Sequence, residues 1–274
     1  MSTPLLAAIE GGGTKFVCAV GQPGTTVETA EIPTRDPAAT LSDIASFFAA
    51  ATSRHGPAAA MGIACFGPLD LDPSSPAYGS ITATPKPGWA GFNILGAVEA
   101  MIGVPAAIDT DVNAAGLAET RLGGARDCDP AVYITVGTGI GVGIVAGGRP
   151  LHGSSHPEGG HIWPRKHPLH RDFAGVCPYH GDCLEGLAHG NALAARWGRP
   201  AQDLPDDHPA WEAEADYLGQ LCATLVLMLA PQRIVIGGGV MRASTFHPAI
   251  RARTRHWLNG YIASIADDPA ALDR

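Results

Sequence analysis

The run Cys177-Pro178-Tyr179-His180-Gly181-Asp182-Cys183 sets three soft donors at i, i+3 and i+6, and His161 lies 16 residues upstream. Zinc takes thiolate and imidazole in this proportion. A full set of His161, Cys177, His180 and Cys183 would make a closed, structural site with no position left for an activated water. The plainer reading is a loop with two free thiols and coincidental histidines, because seven of the 11 histidines fall between His152 and His189. His152, His156, His167, His170 and His189 are expected to be solvated or hydrogen-bonded rather than ligating. A second candidate for chemistry is Asp111, which follows an apolar strand-like run and precedes a helical one. An aspartate projecting from a sheet edge can take the proton of a sugar hydroxyl and make attack on a γ-phosphate feasible. It can equally be a helix N-cap, a role for which Asp109 and Asn113 compete.

A third pattern is made of glycine. Glu10-Gly11-Gly12-Gly13-Thr14-Lys15 interrupts the apolar run Leu5 to Val20, and Gly137-Thr138-Gly139-Ile140-Gly141 breaks the run that begins at Val132. Each reads as a strand-loop-strand hairpin whose tip lets backbone N–H groups crowd around a phosphate oxygen, since no Cβ intervenes. Singly, each is also a tight turn. Set about 125 residues apart, the pair suggests two similar lobes facing one ligand. A third tip, Gly237-Gly238-Gly239, follows Val235-Ile236, and three such tips point to a nucleotide. The G-x-x-x-x-G-K-[ST] spacing of a Walker loop is absent. Lysine is scarce (Lys15, Lys86 and Lys166), so a lysine inside a glycine tip is notable.

These residues need a scaffold, and the hydrophobic periodicity supplies one. Leu41, Ile44, Phe48 and Ala51 recur at helical spacing, ending in Arg54-His55-Gly56. Met61 to Phe66 reads as a buried strand, residues 72–93 as a long binding-type loop, Ile94 to Ile102 as a short helix and Val104 to Ile108 as a strand. A helix is expected from Ala114 to Leu122 and a long apolar one from Trp211 to Leu229, stopped by Pro231. Arg233 to Ile236 then feeds the third tip. This alternation predicts an α/β architecture with ligands at the carboxyl ends of strands. Two domains are expected, 1–125 and 126–274, the second carrying the zinc-binding loop.

Composition narrows the function. The 35 glycines are about 13% of the chain, nearly twice the usual share of about 7%. A formal net charge of −8 leaves no basic stripe for nucleic acid. No run of 18 apolar residues exists for a membrane span. The first strand enters at Leu5, which leaves no room for a signal peptide. With six cysteines and no such signal, the expected location is cytoplasmic, with reduced thiols. Cys18, Cys65 and Cys222 read as packing residues.

Six segments in order resemble the ROK (repressor, open reading frame, kinase) family, specifically its fructokinase branch. They are Ile9 to Cys18, Thr84-Pro85-Lys86-Pro87-Gly88-Trp89, Asp109-Thr110-Asp111-Val112-Asn113, Gly137 to Gly141, His156-Pro157-Glu158-Gly159-Gly160-His161, and Cys177 through Glu185. The resemblance implies an actin-like, ribonuclease-H-like two-lobe sugar kinase fold with an interlobe cleft, using ATP and Mg2+ and carrying a structural Zn2+. It implies Asp111 as catalytic base and Glu158, His161 and Glu185 as holders of sugar hydroxyls, with His161 bridging sugar and zinc. Phosphate falls to Gly11, Gly12, Gly13, Thr14 and Lys15 and to Gly137, Thr138 and Gly139. The adenosine side falls to Gly237, Gly238 and Gly239. A homodimer is expected from the same resemblance.

Three departures refine this. Much of the wider family has aspartate at the position of Glu10, while the fructokinase branch resembles this chain. Glucose-preferring members usually carry Asn immediately before the catalytic aspartate; Thr110 here points to a ketohexose, since one lost amide weakens a specific hydroxyl contact. Relatives also close with a further glycine-containing segment and a long helix crossing back to the first lobe, a cover expected to be missing from a sequence ending at Asp273-Arg274. The leading expectation is an ATP-dependent fructokinase. Its rivals are a broad gluco/mannokinase of the same family and an inactive sugar-binding relative. The family's repressors are disfavoured because the first hairpin starts within ten residues of Met1.

Overall fold

The computed structural model describes residues 3–241, 246–268 and 270–273. The chain divides into two compact units, Met1–Ala115 with Leu151–His156, and Gly116–Pro150 with Pro157–Arg274.

The first unit is built on β1 (Leu6–Gly11), β2 (Lys15–Gln22), β3 (Thr25–Pro33), β4 (Ala60–Cys65) and β5 (Ala106–Thr110), in the order β3-β2-β1-β4-β5. β1 and β2 are antiparallel around the first glycine tip, and β4 and β5 run parallel to β1. Ala7 and Ile9 are buried while Ala8 and Glu10 are exposed, the period-two signature of a strand covered on one face. The cover is α1 (Pro37–His55), which buries Thr40, Ile44, Phe48 and Ala51. Asp36 caps this helix by accepting from the Ala39 N–H at 3.0 Å, and Pro37 fits its first turn, where no N–H is needed. α2 (Ile94–Ile102) buries Ile94, Leu95 and Val98 and ends at the left-handed Gly103. Register aligns Phe16, Gly11, Cys65 and Thr110 in one row across the end of the sheet. Whatever follows β1, β4 and β5 therefore emerges side by side.

The second unit repeats that plan. β6 (Ala131–Val136), β7 (Ile140–Ala146), β8 (Arg149–Pro150) and β9 (Arg233–Gly237) lie in the order β8-β7-β6-β9. β6 and β7 are antiparallel around the second tip, and β9 is parallel to β6. The core forms against α6 (Ala210–Leu229), with Tyr217, Leu218 and Leu221 almost wholly enclosed. α6 also carries Glu214 into this interior, where neither carboxyl oxygen has a hydrogen-bond partner. Desolvation pushes its pKa well above the ordinary glutamate value, which favours the neutral acid.

The periodic expectations for both hairpins and for the helices at 37–55, 94–102 and 210–229 are borne out. α3 (Asp111–Leu122) begins three residues before the expected Ala114, and β5 runs on to Thr110 rather than stopping at Ile108. The change of lobe expected at 125/126 lies beyond α3, which carries the chain from one unit into the other. The third glycine tip is a turn after β9.

Candidate active site and metal centre

In the first unit, strand ends deliver the chemistry. Asp111 follows the last residue of β5 directly and is the first residue of α3. It is not the cap of that helix. Thr110, 3% exposed, fills that position, its Oγ1 accepting from the Asn113 N–H at 3.2 Å. The Asp111 carboxylate is thereby not spent on capping, its Oδ1 accepting from the Val112 N–H at 2.9 Å. Burial raises the Asp111 carboxyl, the Val112 N–H opposes that rise, and the charge of Glu10 adds to it, leaving the pKa at about 6. A carboxylate with that pKa is ionised at neutral pH yet more basic than a solvated aspartate, as proton abstraction requires.

Behind Asp111, Asp109 Oδ1 accepts from Asn113 Nδ2 at 2.7 Å, and His152 Nε2 lies 3.1 Å from Asp109 Oδ2. His156, buried, accepts from the Leu69 N–H at 3.0 Å. The 151–156 segment is thus fastened by two histidines expected only to be solvated or hydrogen-bonded. Hydrogen bonding holds for the others too: the Tyr217 hydroxyl pairs with His170 at 3.1 Å, His167 Nδ1 accepts from Leu169, and His189 donates to the Glu185 carbonyl. Solvation does not hold for His156, His167, His170 or His189, which are buried.

The first glycine tip closes on itself, the Gly12 N–H donating to Lys15 O at 2.9 Å while Thr34 Oγ1 donates to Gly12 O at 3.0 Å. Gly13, Thr14 and Lys15 are exposed. The Lys15 ammonium pairs with Glu31 of β3. The cation that reaches the tip is Lys86, whose Nζ donates to Gly13 O at 3.1 Å and lies 5.0 Å from the Phe66 ring centroid. Scarcity of lysine and its place in the Thr84 to Trp89 segment were the sequence signals for it.

In the second unit, Cys177, His161, His180 and Cys183 converge, their ligand atoms all within 4.8 Å of one another. His161 Nδ1 lies 3.4 Å from Cys183 Sγ and 3.8 Å from Cys177 Sγ, and His180 Nδ1 lies 3.8 Å from Cys177 Sγ. These three separations suit edges of a tetrahedron with bonds of about 2.1–2.3 Å, the lengths zinc makes to nitrogen and sulfur. The other nitrogen of His161 faces Glu185 Oε1 at 3.9 Å, the carboxylate partner that commonly orients a ligating imidazole.

Glu185 also reaches the second glycine tip. Its Oε2 accepts from the Ile140 N–H at 2.9 Å, and the Gly190 N–H donates to Gly137 O at 2.8 Å. The ligand loop and the tip are therefore one hydrogen-bonded body. Gly160 makes their close approach possible, because a Cβ there would lie 1.9 Å from the Ile140 carbonyl oxygen. Thr138 is exposed, as is Glu158, which begins the turn carrying His161. Beside this tip, Gly237 ends β9. Gly238 has φ of +103° and turns the chain over β6, the Val240 N–H donating to Val136 O at 3.0 Å.

This arrangement defines a class. The ROK family profile matches residues 6–270, and the chain belongs to the ROK family. It is 45% identical to a putative fructokinase of Bacillus subtilis, over 96% of this chain and 87% of the relative. It is 42% identical to a fructokinase of Pediococcus pentosaceus, over 94% and 88%. Its fold resembles the crystal structure of a ROK hexokinase from Thermus thermophilus, with TM-score 0.76, 29% identity and coverage of 93% and 89%. A ROK family glucokinase from Streptomyces griseus, solved with glucose and AMPPNP, shares the fold at TM-score 0.73 and 24% identity, over 93% and 89%. The mixed α/β sugar-kinase fold implied by the sequence resemblance is borne out. No helix among the described residues is long and apolar enough to cross a membrane.

Proposed function

We propose that this protein is an ATP-dependent fructokinase that forms fructose 6-phosphate. The observation that carries the reading is Asp111, a carboxylate at a strand end, freed from helix capping by Thr110 and raised to a pKa of about 6. In this role Asp111 accepts the proton of the 6-hydroxyl as its oxygen attacks the γ-phosphorus in line. The choice of fructose is supported by relatives named fructokinase at 37–45% identity.

Thr138 and Gly139 present backbone and hydroxyl donors suited to phosphate oxygens, as do Gly13 and Thr14, while Gly137, Gly11 and Gly12 shape the two tips. Gly237, Gly238 and Gly239 suit the adenosine side. Glu10, exposed at the end of β1, has the oxygen donor that a hydrated Mg2+ favours, and the ion when bound neutralises phosphate charge. Glu158, His161 and Glu185 hold sugar hydroxyls. Zn2+ on His161, Cys177, His180 and Cys183 fixes the loop that carries them and, with four protein ligands, takes no part in the chemistry.

Coupled assays with ATP and fructose, glucose, mannose or N-acetylmannosamine test the reading. The expected result is the highest kcat/KM for fructose. Equal turnover of glucose and mannose would make this a broad hexokinase, and sugar binding without turnover would make it a sugar binder.

A further inference from the structure

The first glycine tip carries a cation that no carboxylate among the described residues neutralises. Lys15 is paired with Glu31, and Lys166 with Asp182 at 2.9 Å. Among the described residues Lys86 pairs with no carboxylate, its ammonium meeting only the neutral Gly13 carbonyl and the Phe66 ring. An ammonium held beside a tip of exposed backbone and paired with no carboxylate is a compact point charge available to an incoming anion.

Its mounting is rigid, which lowers the entropic cost of using a long side chain. Lys86 lies between Pro85 and Pro87, and the loop is pinned three residues later by Trp89, 1% exposed. Trp89 stacks on Phe16 with centroids 5.4 Å apart, packs edge-on against Phe66 at 5.8 Å, and donates from Nε1 to Arg35 O at 2.7 Å. Phe16 follows Lys15 in β2 and Phe66 follows the last residue of β4, so the loop is locked to the strand ends that flank the tip. Cys65, the last residue of β4, pairs in register with Thr110, the residue before Asp111, and is followed by Phe66, over whose ring Lys86 lies, which places base and cation at the same end of the sheet.

We infer that Lys86 is a further catalytic residue, contacting the phosphoryl group in transfer and offsetting its charge beside the Asp111 and Glu10 carboxylates. On ATP arrival its ammonium moves from the Gly13 carbonyl to a γ-phosphoryl oxygen. No proton changes hands, because lysine acts here as a fixed positive charge. The inference rests on the kinase reading above.

The test compares Lys86→Met and Lys86→Arg with wild type by kinetics, by calorimetric titration with AMPPNP and with ADP, and by thermal unfolding. Lys86→Met is expected to lose about 10²-fold in kcat and to weaken AMPPNP binding about tenfold, with ADP and fructose affinities and Tm essentially unchanged. Lys86→Arg should recover a substantial part of both losses. The inference is overturned if Lys86→Met keeps activity within about threefold, or if AMPPNP and ADP weaken equally, which would mean that Lys86 only props the tip. If wild type fails to phosphorylate fructose, the substrate reading falls, and the AMPPNP-against-ADP difference still decides the role of Lys86.

Discussion

The two sheets are copies in plan and opposites in use. Each has an antiparallel hairpin with a glycine tip and a parallel neighbour on its inner strand, β4 beside β1 and β9 beside β6. In the first unit the row of strand ends releases side chains: Asp111 after β5, Glu10 in β1, and Lys86 brought in by the loop after β4. In the second unit the strand ends expose mainly backbone, and the side chains near them serve to hold it, Glu185 binding the tip through the Ile140 N–H. The extra strand β5 makes the difference, because only the first sheet has a further parallel end from which a carboxylate can project. On the proposed reading, duplicated plans diverge in use, one unit supplying reactive groups and the other a fixed cradle.

The largest test of that division is Asp111→Asn. It should lower kcat by about 10²-fold or more with fructose affinity by titration little changed; a mild loss would place the base elsewhere. Next comes the second unit. Elemental analysis should find about one zinc per chain in wild type and none in Cys177→Ser, whose Tm should fall by about 5–10 °C, at roughly 2–4 °C per kcal/mol. A metal-free wild type of undiminished stability would remove the metal from the cradle.

A smaller effect sharpens the role of the first unit. With the Asp111 carboxyl at about 6, kcat/KM should be flat at neutral pH and fall about tenfold per unit below that value. Glu10→Gln should move that limb to lower pH, because it removes a charge that raises the Asp111 pKa. An unmoved limb would sever the link between the two carboxylates. Smallest is Thr110→Asn, which keeps an N-cap of equal quality. It should leave Tm within about 2 °C and shift the fructose-to-glucose ratio of kcat/KM toward glucose by severalfold; an unchanged ratio would leave Thr110 as a cap alone.

Much of this was legible in the sequence because period and punctuation agree. Alternating burial marks β1 and β2, while a capping aspartate, Pro37 and Gly56 bracket α1, so local chemistry suffices. The Cys177–Cys183 spacing was legible for the same reason, since one turn brings its donors together. Contacts distant in sequence were not. Nothing near Glu185 announces its bond to the Ile140 N–H, 45 residues away. Nothing near Lys86 announces Gly13, 73 residues earlier. The cap of α3 was missed for a different reason: Asp109, Asp111 and Asn113 are all good caps, and only the backbone decides that α3 starts one residue after Thr110.

Glu214 gives the molecule an unusual exchange with its solvent. The unfolded chain sheds this hydrogen ion near pH 4.5, whereas the native interior keeps it far higher, and Asp111 keeps its own up to about 6 instead of 3.8. These two carboxyls thus hold their hydrogen ions more tightly in native molecules than in unfolded ones, so the stability linked to them drains away as alkalinity increases from the unfolded pKa to the native one. Refolding within that interval draws hydrogen ions onto them from the surrounding buffer. The measured heat of refolding will therefore differ between phosphate and Tris by the difference in their ionisation enthalpies, multiplied by the number of ions captured.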